Sequence, residues 1–150
     1  MAELAVMAFV GGTALKAKGA IDAGKERRKS AYIEAAQWDD KADVTRGATQ
    51  REAAREKLIA DYTGSTALAA AAASGAGVQN INVLNLMAEI EAEGEYRAAS
   101  KLYTGDQEAQ GMEDAADNLR RGGDAYRKAG KMQALSTILQ GGSTMYGMYS

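Results

Sequence analysis

The sequence predicts an all-α protein: an elongated helical hairpin of two long helices that pack along an Ala/Gly-rich seam and assemble as an oligomer. The 150 residues include no Pro, so no helix is interrupted by ring clash or a missing backbone N–H. Ala occupies 32 positions and aromatic residues make up only 6% of the chain, which disfavours a compact globule with a deep core. Apolar residues recur with a helical period on both sides of one glycine-containing break.

Residues 1–15 form an apolar N-terminal segment whose single charged residue is Glu3. The segment is shorter than the roughly 20 residues of a membrane span, and its acidic start is unlike a secretory signal. Two interpretations stay open, namely packing within an assembly and later contact with a membrane. The candidate insertion residues are Leu4, Val6, Met7, Phe9, Val10 and Leu15.

The first long helix is predicted over residues 16–74, with a candidate kink near residue 64, where Gly and Ser are adjacent. The helix is charged and Ala-rich, and it carries a thin apolar stripe of residues three, four or eight apart. The stripe consists of Ile33, Ala36, Val44, Ala48, the aliphatic stem of Arg51, Ala54, Leu58 and Tyr62.

A basic run, "GKERRK", lies within this helix at residues 24–29 and is followed closely by Tyr32 and Trp38. One interpretation is a solvated helical face. The other is a patch that faces phosphates of DNA or of lipid headgroups. Its candidate residues are Lys25, Arg27, Arg28 and Lys29.

The break "SGAG" predicts a turn at residues 75–82, and Asn80 or Asn82 is the expected cap of the second helix, over residues 83–140. Residues 141–150 carry no charge. They are interpreted either as a frayed terminus or as a tail that docks on a neighbour.

Six glycines lie between residues 94 and 130, which would cost a helix roughly 6 kcal/mol if nothing compensated. Steps of three and four residues connect four of them to other small residues and to single large ones, so close helix packing is the expected compensation. The partner is either the other helix of the hairpin or an identical copy. This packing seam comprises Gly94, Ala98, Leu102, Gly105, Ala109, Met112, Ala116, Leu119, Gly123, Tyr126 and Gly130.

Charge and chemistry favour a structural role over an enzymatic one. The net charge of −2 gives no global reason to bind nucleic acid. Without His or Cys, the chain lacks the commonest general base, the commonest metal ligand and any thiol nucleophile. We expect no catalytic residue, metal, cofactor or small-molecule substrate. Four acids of the second helix, Asp106, Glu108, Glu113 and Asp114, are expected to be surface charges.

The stretch "AAAASGAGVQNINVLN", followed by "EGEYRAASKLYTGDQEAQGMEDAADNLRRGGDAYRKAGKMQALSTILQGGSTMYG", is similar to the smallest internal virion protein, or ejection protein, of short-tailed bacteriophages. The resemblance covers roughly residues 60–145, and the N-terminal third only in character. Where many relatives have G-S-P before the second helix, this chain has "GVQN" without Pro, so the turn geometry is not implied.

The resemblance implies an internal core protein that is packaged above the portal and ejected with the genome. Such proteins assemble with larger ejection proteins into a conduit for DNA across the host envelope, and the smallest is associated with the outer membrane. The expected partners are therefore copies of the chain, larger ejection proteins and the portal, with genomic DNA and the host outer membrane as further candidates. A permanent portal or head-tail adaptor is the alternative, and a helical-hairpin secretion substrate ranks third.

Overall fold

Two helices make up the fold. The computed structural model describes the backbone of residues 2–75 and 79–148 and the side chains of residues 12–75 and 79–140. Helix α1 spans Ala2–Ala73 and helix α2 spans Ile81–Met148. They pack against each other as a hairpin, and the described residues include no strand. The predicted all-helical hairpin is confirmed, and its assembly as an oligomer stays a prediction.

The helix bounds differ from the predicted segments. Helix α1 includes residues 2–15, passes through Gly64 without interruption and ends at Ala73. Helix α2 begins two residues earlier than expected and continues past residue 140 to Met148. Without Pro there is no steric stop in either helix. A Cβ at Gly64 would lie 3.1 Å from Met87 Cε of α2, and the candidate kink near residue 64 stays a prediction.

Two residues on the described sides of the turn, Gly75 and Asn80, end α1 and begin α2. Gly75 has a φ of +77°, the left-handed conformation that ends many helices, and its N–H donates to the Ala72 carbonyl over 3.2 Å. At the start of α2, the Asn80 side-chain oxygen accepts a hydrogen bond from the Asn82 N–H over 3.0 Å. Of the two predicted caps, Asn80 is therefore the cap of α2.

The chain divides into two compact units, each containing part of both helices. Unit 1 comprises residues 1–38 and 114–150, and unit 2 comprises residues 39–113. Unit 1 contains eleven Lys and Arg against seven Asp and Glu, a net charge of +4. Unit 2 contains seven Lys and Arg against thirteen Asp and Glu, a net charge of −6. The small net charge of the whole chain thus conceals two oppositely charged units.

Within the described side chains, both units bury only alanine and glycine. Burying an alanine methyl contributes far less transfer free energy than burying Leu or Phe, so contact between helix backbones replaces a large-residue core. Unit 1 buries Ala17, Gly24, Ala35, Ala116, Gly123, Gly130 and Ala134. Unit 2 buries Ala42, Ala53, Gly64, Gly94, Ala98, Gly105 and Ala109.

The large members of the α1 apolar stripe lie on the surface. Ile33 is 54% exposed and Val44 is 68% exposed. Each lies two residues from a buried alanine, Ala35 or Ala42, which is about 200° around an α-helix. Leu58 and Tyr62 are exposed as well. The stripe therefore faces away from α2, because the hairpin contact takes the smallest residues rather than the most apolar ones.

Candidate functional site

The predicted seam separates into two classes of residue. All seven of its small members are buried, whereas Leu102 is 43% exposed, Tyr126 is 50% exposed, and Met112 and Leu119 are partly exposed. Large side chains therefore flank the contact between the helices instead of filling it. The buried small members are Gly94, Ala98, Gly105, Ala109, Ala116, Gly123 and Gly130.

In unit 1 the contact at Gly24 and Gly130 is between backbones. A Cβ built on Gly130 would lie 2.6 Å from the Ala20 carbonyl oxygen and 3.2 Å from Gly24 Cα. In the reverse direction, a Cβ on Gly24 would lie 3.0 Å from the Tyr126 carbonyl oxygen. No side chain fits between these surfaces, so Gly24 and Gly130 allow the two helices to approach closely.

In unit 2, two buried glycines of α2 receive side chains of α1. A Cβ on Gly94 would overlap Ala60 Cβ, and a Cβ on Gly105 would overlap the side chain of Thr49. The Thr49 hydroxyl donates to the carbonyls of Thr45 and Arg46, at 3.0 Å each, which holds this side chain against α1. Gly94 and Gly105 therefore form notches in α2 that match Ala60 and Thr49.

Two glycines of α2 have no packing role. A Cβ on Gly111 or on Gly122 would meet no heavy atom within 4 Å. Both positions lie off the seam, and nothing in the structure explains why glycine occupies them.

An arginine of α1 connects the helices of unit 2. Arg46 Nη1 lies 2.6 Å from Glu113 Oε1, and Arg46 Nε lies 3.4 Å from Asp106 Oδ1. The hydrogen bond to Glu113 raises the pKa of the Arg46 guanidinium above its ordinary value, so the group stays charged. Asp106 and Glu113, expected to be plain surface charges, thus contribute interhelical ion pairs. The sequence carries no periodic signal for this cluster, since it depends on the register of the hairpin.

A second arginine connects the helices of unit 1. Arg28 Nε lies 2.7 Å from Asp124 Oδ1. The Tyr32 hydroxyl donates to Asp124 over 3.2 Å and accepts from Arg28 over 3.3 Å. Hydrogen bonds to Tyr32 and Asp124 raise the pKa of Arg28, whose guanidinium also lies 4.7 Å from the centre of the Tyr32 ring.

The basic run is divided between two surfaces. Lys25, Arg28 and Lys29 line a surface groove together with Tyr32 and with Arg127 of α2. Arg27 is not part of this groove, and its guanidinium lies 5.7 Å from the centre of the Tyr126 ring. The groove thus unites three of the four candidate phosphate-facing residues with a cation about 100 residues away, which sequence reasoning did not connect.

The candidate insertion residues fall mostly outside the described side chains. Five of them lie outside the described side chains: Leu4, Val6, Met7, Phe9 and Val10. The sixth, Leu15, is 71% exposed. Across the described residues, neither helix contains a stretch long and apolar enough to cross a membrane.

Over the described part of the chain, no three acidic side chains come together in a way that would hold a metal ion. We compared the chain with protein-family models, curated proteins and solved structures, and none of these matches it.

Proposed function

We propose that this chain is a small internal virion protein of a short-tailed bacteriophage, packaged above the portal and ejected with the genome. After ejection it helps to form the conduit through which DNA crosses the host envelope. The observation that carries the proposal is that, among the described side chains, only alanine and glycine are buried between the helices, with large apolar residues left partly or largely exposed. We assign it no catalytic residue and no cofactor.

A small-residue interface suits a protein that has to pass through a narrow portal. Each buried alanine contributes little to the free energy of unfolding, and the chain has no disulfide to reduce. Such a hairpin separates at a low energetic cost and forms again by aligning two helices. A domain with a deep core of large residues would resist the same passage.

The exposed apolar residues suit a protein whose folded form is completed by neighbours. Leu15, Val44, Tyr62, Tyr96 and Met132 are all more than 65% exposed. Single exposed apolar residues are normal, but a chain that buries nothing larger than alanine over residues 12–75 and 79–140 gains most from association. Copies of the chain, larger ejection proteins and the portal are the proposed partners.

Quantitative mass spectrometry tests the function directly. The chain is counted against the capsid protein in purified particles of the source phage, before and after triggered genome release. Presence before release and loss afterwards is the expected result. Equal amounts before and after would assign the chain to a fixed portal or head-tail adaptor, and absence from particles would overturn the virion proposal.

Membrane contact by the N-terminal segment is a separate part of the proposal. Flotation with vesicles of Gram-negative outer-membrane lipid compares the full chain with a Val6→Glu, Phe9→Glu variant. The variant should lose flotation, because charges are costly to bury in an apolar lipid phase. Equal flotation of both proteins would remove the membrane role from this segment.

The basic groove is the proposed contact for genomic DNA. Its Lys25, Arg28, Lys29 and Arg127 place four cations along one surface. Binding of duplex DNA by the full chain should weaken in a Lys29→Gln, Arg127→Gln variant and should fall steeply with salt. If this variant binds DNA as well as the wild type does, the basic run is a solvated helical face and not a DNA contact.

A further inference from the structure

We propose that copies of this chain associate by docking a basic and apolar ridge of unit 1 into an acidic and apolar groove of unit 2. The inference rests on the proposed function only in its claim that the chain works as an assembly. It adds the surfaces that make the contact.

The acidic groove lies between α1 and α2 in unit 2. Its apolar lining includes Ile59 and Leu86, which are each 47% exposed. Three carboxylates, Glu56, Glu89 and Glu93, also line it. One cation, Arg97, lines it too and lies 2.8 Å from Glu93. The groove is therefore an apolar surface with a net negative lining.

The ridge is a face of α2 in unit 1, between residues 128 and 139. Met132 and Leu139 are 68% and 65% exposed, and Leu135 is 52% exposed. Two exposed lysines, Lys128 and Lys131, lie at its N-terminal end. Residues 128, 132, 135 and 139 follow steps of four, three and four, so they share one helical face. The ridge is thus a positively charged helix with a continuous apolar row.

The two surfaces complement each other in both charge and polarity. The exposed apolar row of the ridge matches the apolar lining of the groove, and Lys128 and Lys131 provide the charge opposite to the groove carboxylates, among them Glu89 and Glu93. A helix that lays three or four apolar residues into a groove is a common mode of recognition. Charge complementarity fixes the register and suppresses other partners.

A second copy is the occupant that these observations favour. Duplex DNA does not suit a groove lined by carboxylates, because its phosphates would be repelled. A contact between two different surfaces of one chain is heterologous, so it either closes into a symmetric assembly or propagates. This is the type of contact from which rings are made.

Charge reversal in the full-length chain tests the contact. Sedimentation equilibrium measures self-association of the wild type, of Glu89→Lys with Glu93→Lys, of Lys128→Glu with Lys131→Glu, and of all four changes together. Each double variant should associate about tenfold more weakly. The fourfold variant should recover, because the charges oppose each other again in exchanged positions. Far-UV circular dichroism confirms that each variant keeps its helices.

Glu91→Lys with Glu95→Lys is the matched control. It makes the same charge change in the same helix and unit, and neither residue lines the groove. Its association should match the wild type. A control that weakens association as much as the groove variant would show an effect of net charge only, and would overturn the contact.

Two further results would overturn the inference. One is a wild type that stays monomeric, and the other is a fourfold variant that does not recover. If the ridge variant loses binding of duplex DNA while the wild type stays monomeric, the ridge belongs to DNA instead. The outcome is independent of particle composition. If the wild-type chain is ejected from particles but does not self-associate, the docking proposal alone is overturned. If the chain self-associates but is absent from particles, the proposed function alone is overturned.

Discussion

Among the described side chains, units 1 and 2 bury the same set of residue types, four alanines and three glycines each, but two glycines of unit 1 make a different contact from two glycines of unit 2. In unit 1, Gly24 and Gly130 bring backbone against backbone. In unit 2, Gly94 and Gly105 accept the side chains of Ala60 and Thr49. Where a glycine of one helix faces a side chain of the other, the small and the larger residue can be exchanged between the helices. Where a glycine faces backbone, no such exchange is possible. Glycines with equal burial therefore differ in whether a second substitution can restore the stability that an added methyl group removes.

The units also differ in charge and in how an arginine links the helices. Basic unit 1 has Arg28 with Asp124 and Tyr32, and acidic unit 2 has Arg46 with Asp106 and Glu113. In each unit one arginine of α1 forms ion pairs with α2, with one carboxylate in unit 1 and with two in unit 2. The register of the hairpin is therefore defined twice, once in each unit, by ion pairs beside the small-residue contact.

Gly130→Ala should cause the largest loss of stability. The new methyl group would lie 2.6 Å from the Ala20 carbonyl oxygen, so the backbones have to separate. We expect the free energy of unfolding to fall by about 2 kcal/mol, after the better helix propensity of Ala is included. Urea unfolding followed by circular dichroism measures it. Adding Ala20→Gly should not restore stability, and restoration would show that the contact is not with backbone.

Gly94→Ala should destabilise unit 2 by about 1 kcal/mol, because its Cβ overlaps Ala60 Cβ. Exchanging the two residues, with Ala at position 94 and Gly at position 60, should restore the free energy of unfolding. With Ala60→Gly added, the nearest Ala60 atom is its Cα at 3.8 Å, and the helix propensities of the two positions cancel. The double variant should unfold within about 0.5 kcal/mol of the wild type in a double-mutant cycle. If the two substitutions lower the free energy of unfolding additively, the side chain of Ala60 does not pack against Gly94.

Gly111→Ala in unit 2 and Gly122→Ala in unit 1 should have the opposite sign. Their Cβ atoms meet nothing within 4 Å, so each substitution should stabilise its helix by up to about 1 kcal/mol. Thermal unfolding monitored at 222 nm is a sufficient measurement. A loss of stability at either position would reveal a contact of that glycine outside the single chain.

Arg46→Gln should have the smallest effect, because the ion pairs that it removes are partly exposed. Arg51→Gln, an exposed arginine of the same helix and unit, is the control. The raised pKa keeps the Arg46 contribution present below the ordinary arginine pKa, and it is lost only at still higher pH. The difference between the two variants in urea unfolding should therefore be constant between about pH 6 and 9. A difference that changes over this range would contradict an arginine role.

Sequence periodicity predicts the two helices and the small residues between them, because close packing of α-helices repeats every three or four residues. The same reasoning did not predict that Leu102, Tyr126 and the large residues of the α1 stripe would be exposed. They lie at helical spacing but outside the hairpin contact. Apolar character alone does not tell which of two possible faces meets the partner helix. The Arg46 and Arg28 clusters were likewise hidden, because they depend on which residues of α1 and α2 come level with each other.

We expect the hairpin to have little stability by itself and to gain the rest from neighbours. Urea unfolding of the full chain at protein concentrations a hundredfold apart tests it most directly. If folding is linked to association, the free energy of unfolding should rise by about 2.7 kcal/mol over this range. The midpoint should move to higher urea with it. A stable monomer whose midpoint does not depend on concentration would show that the hairpin is stable without neighbours.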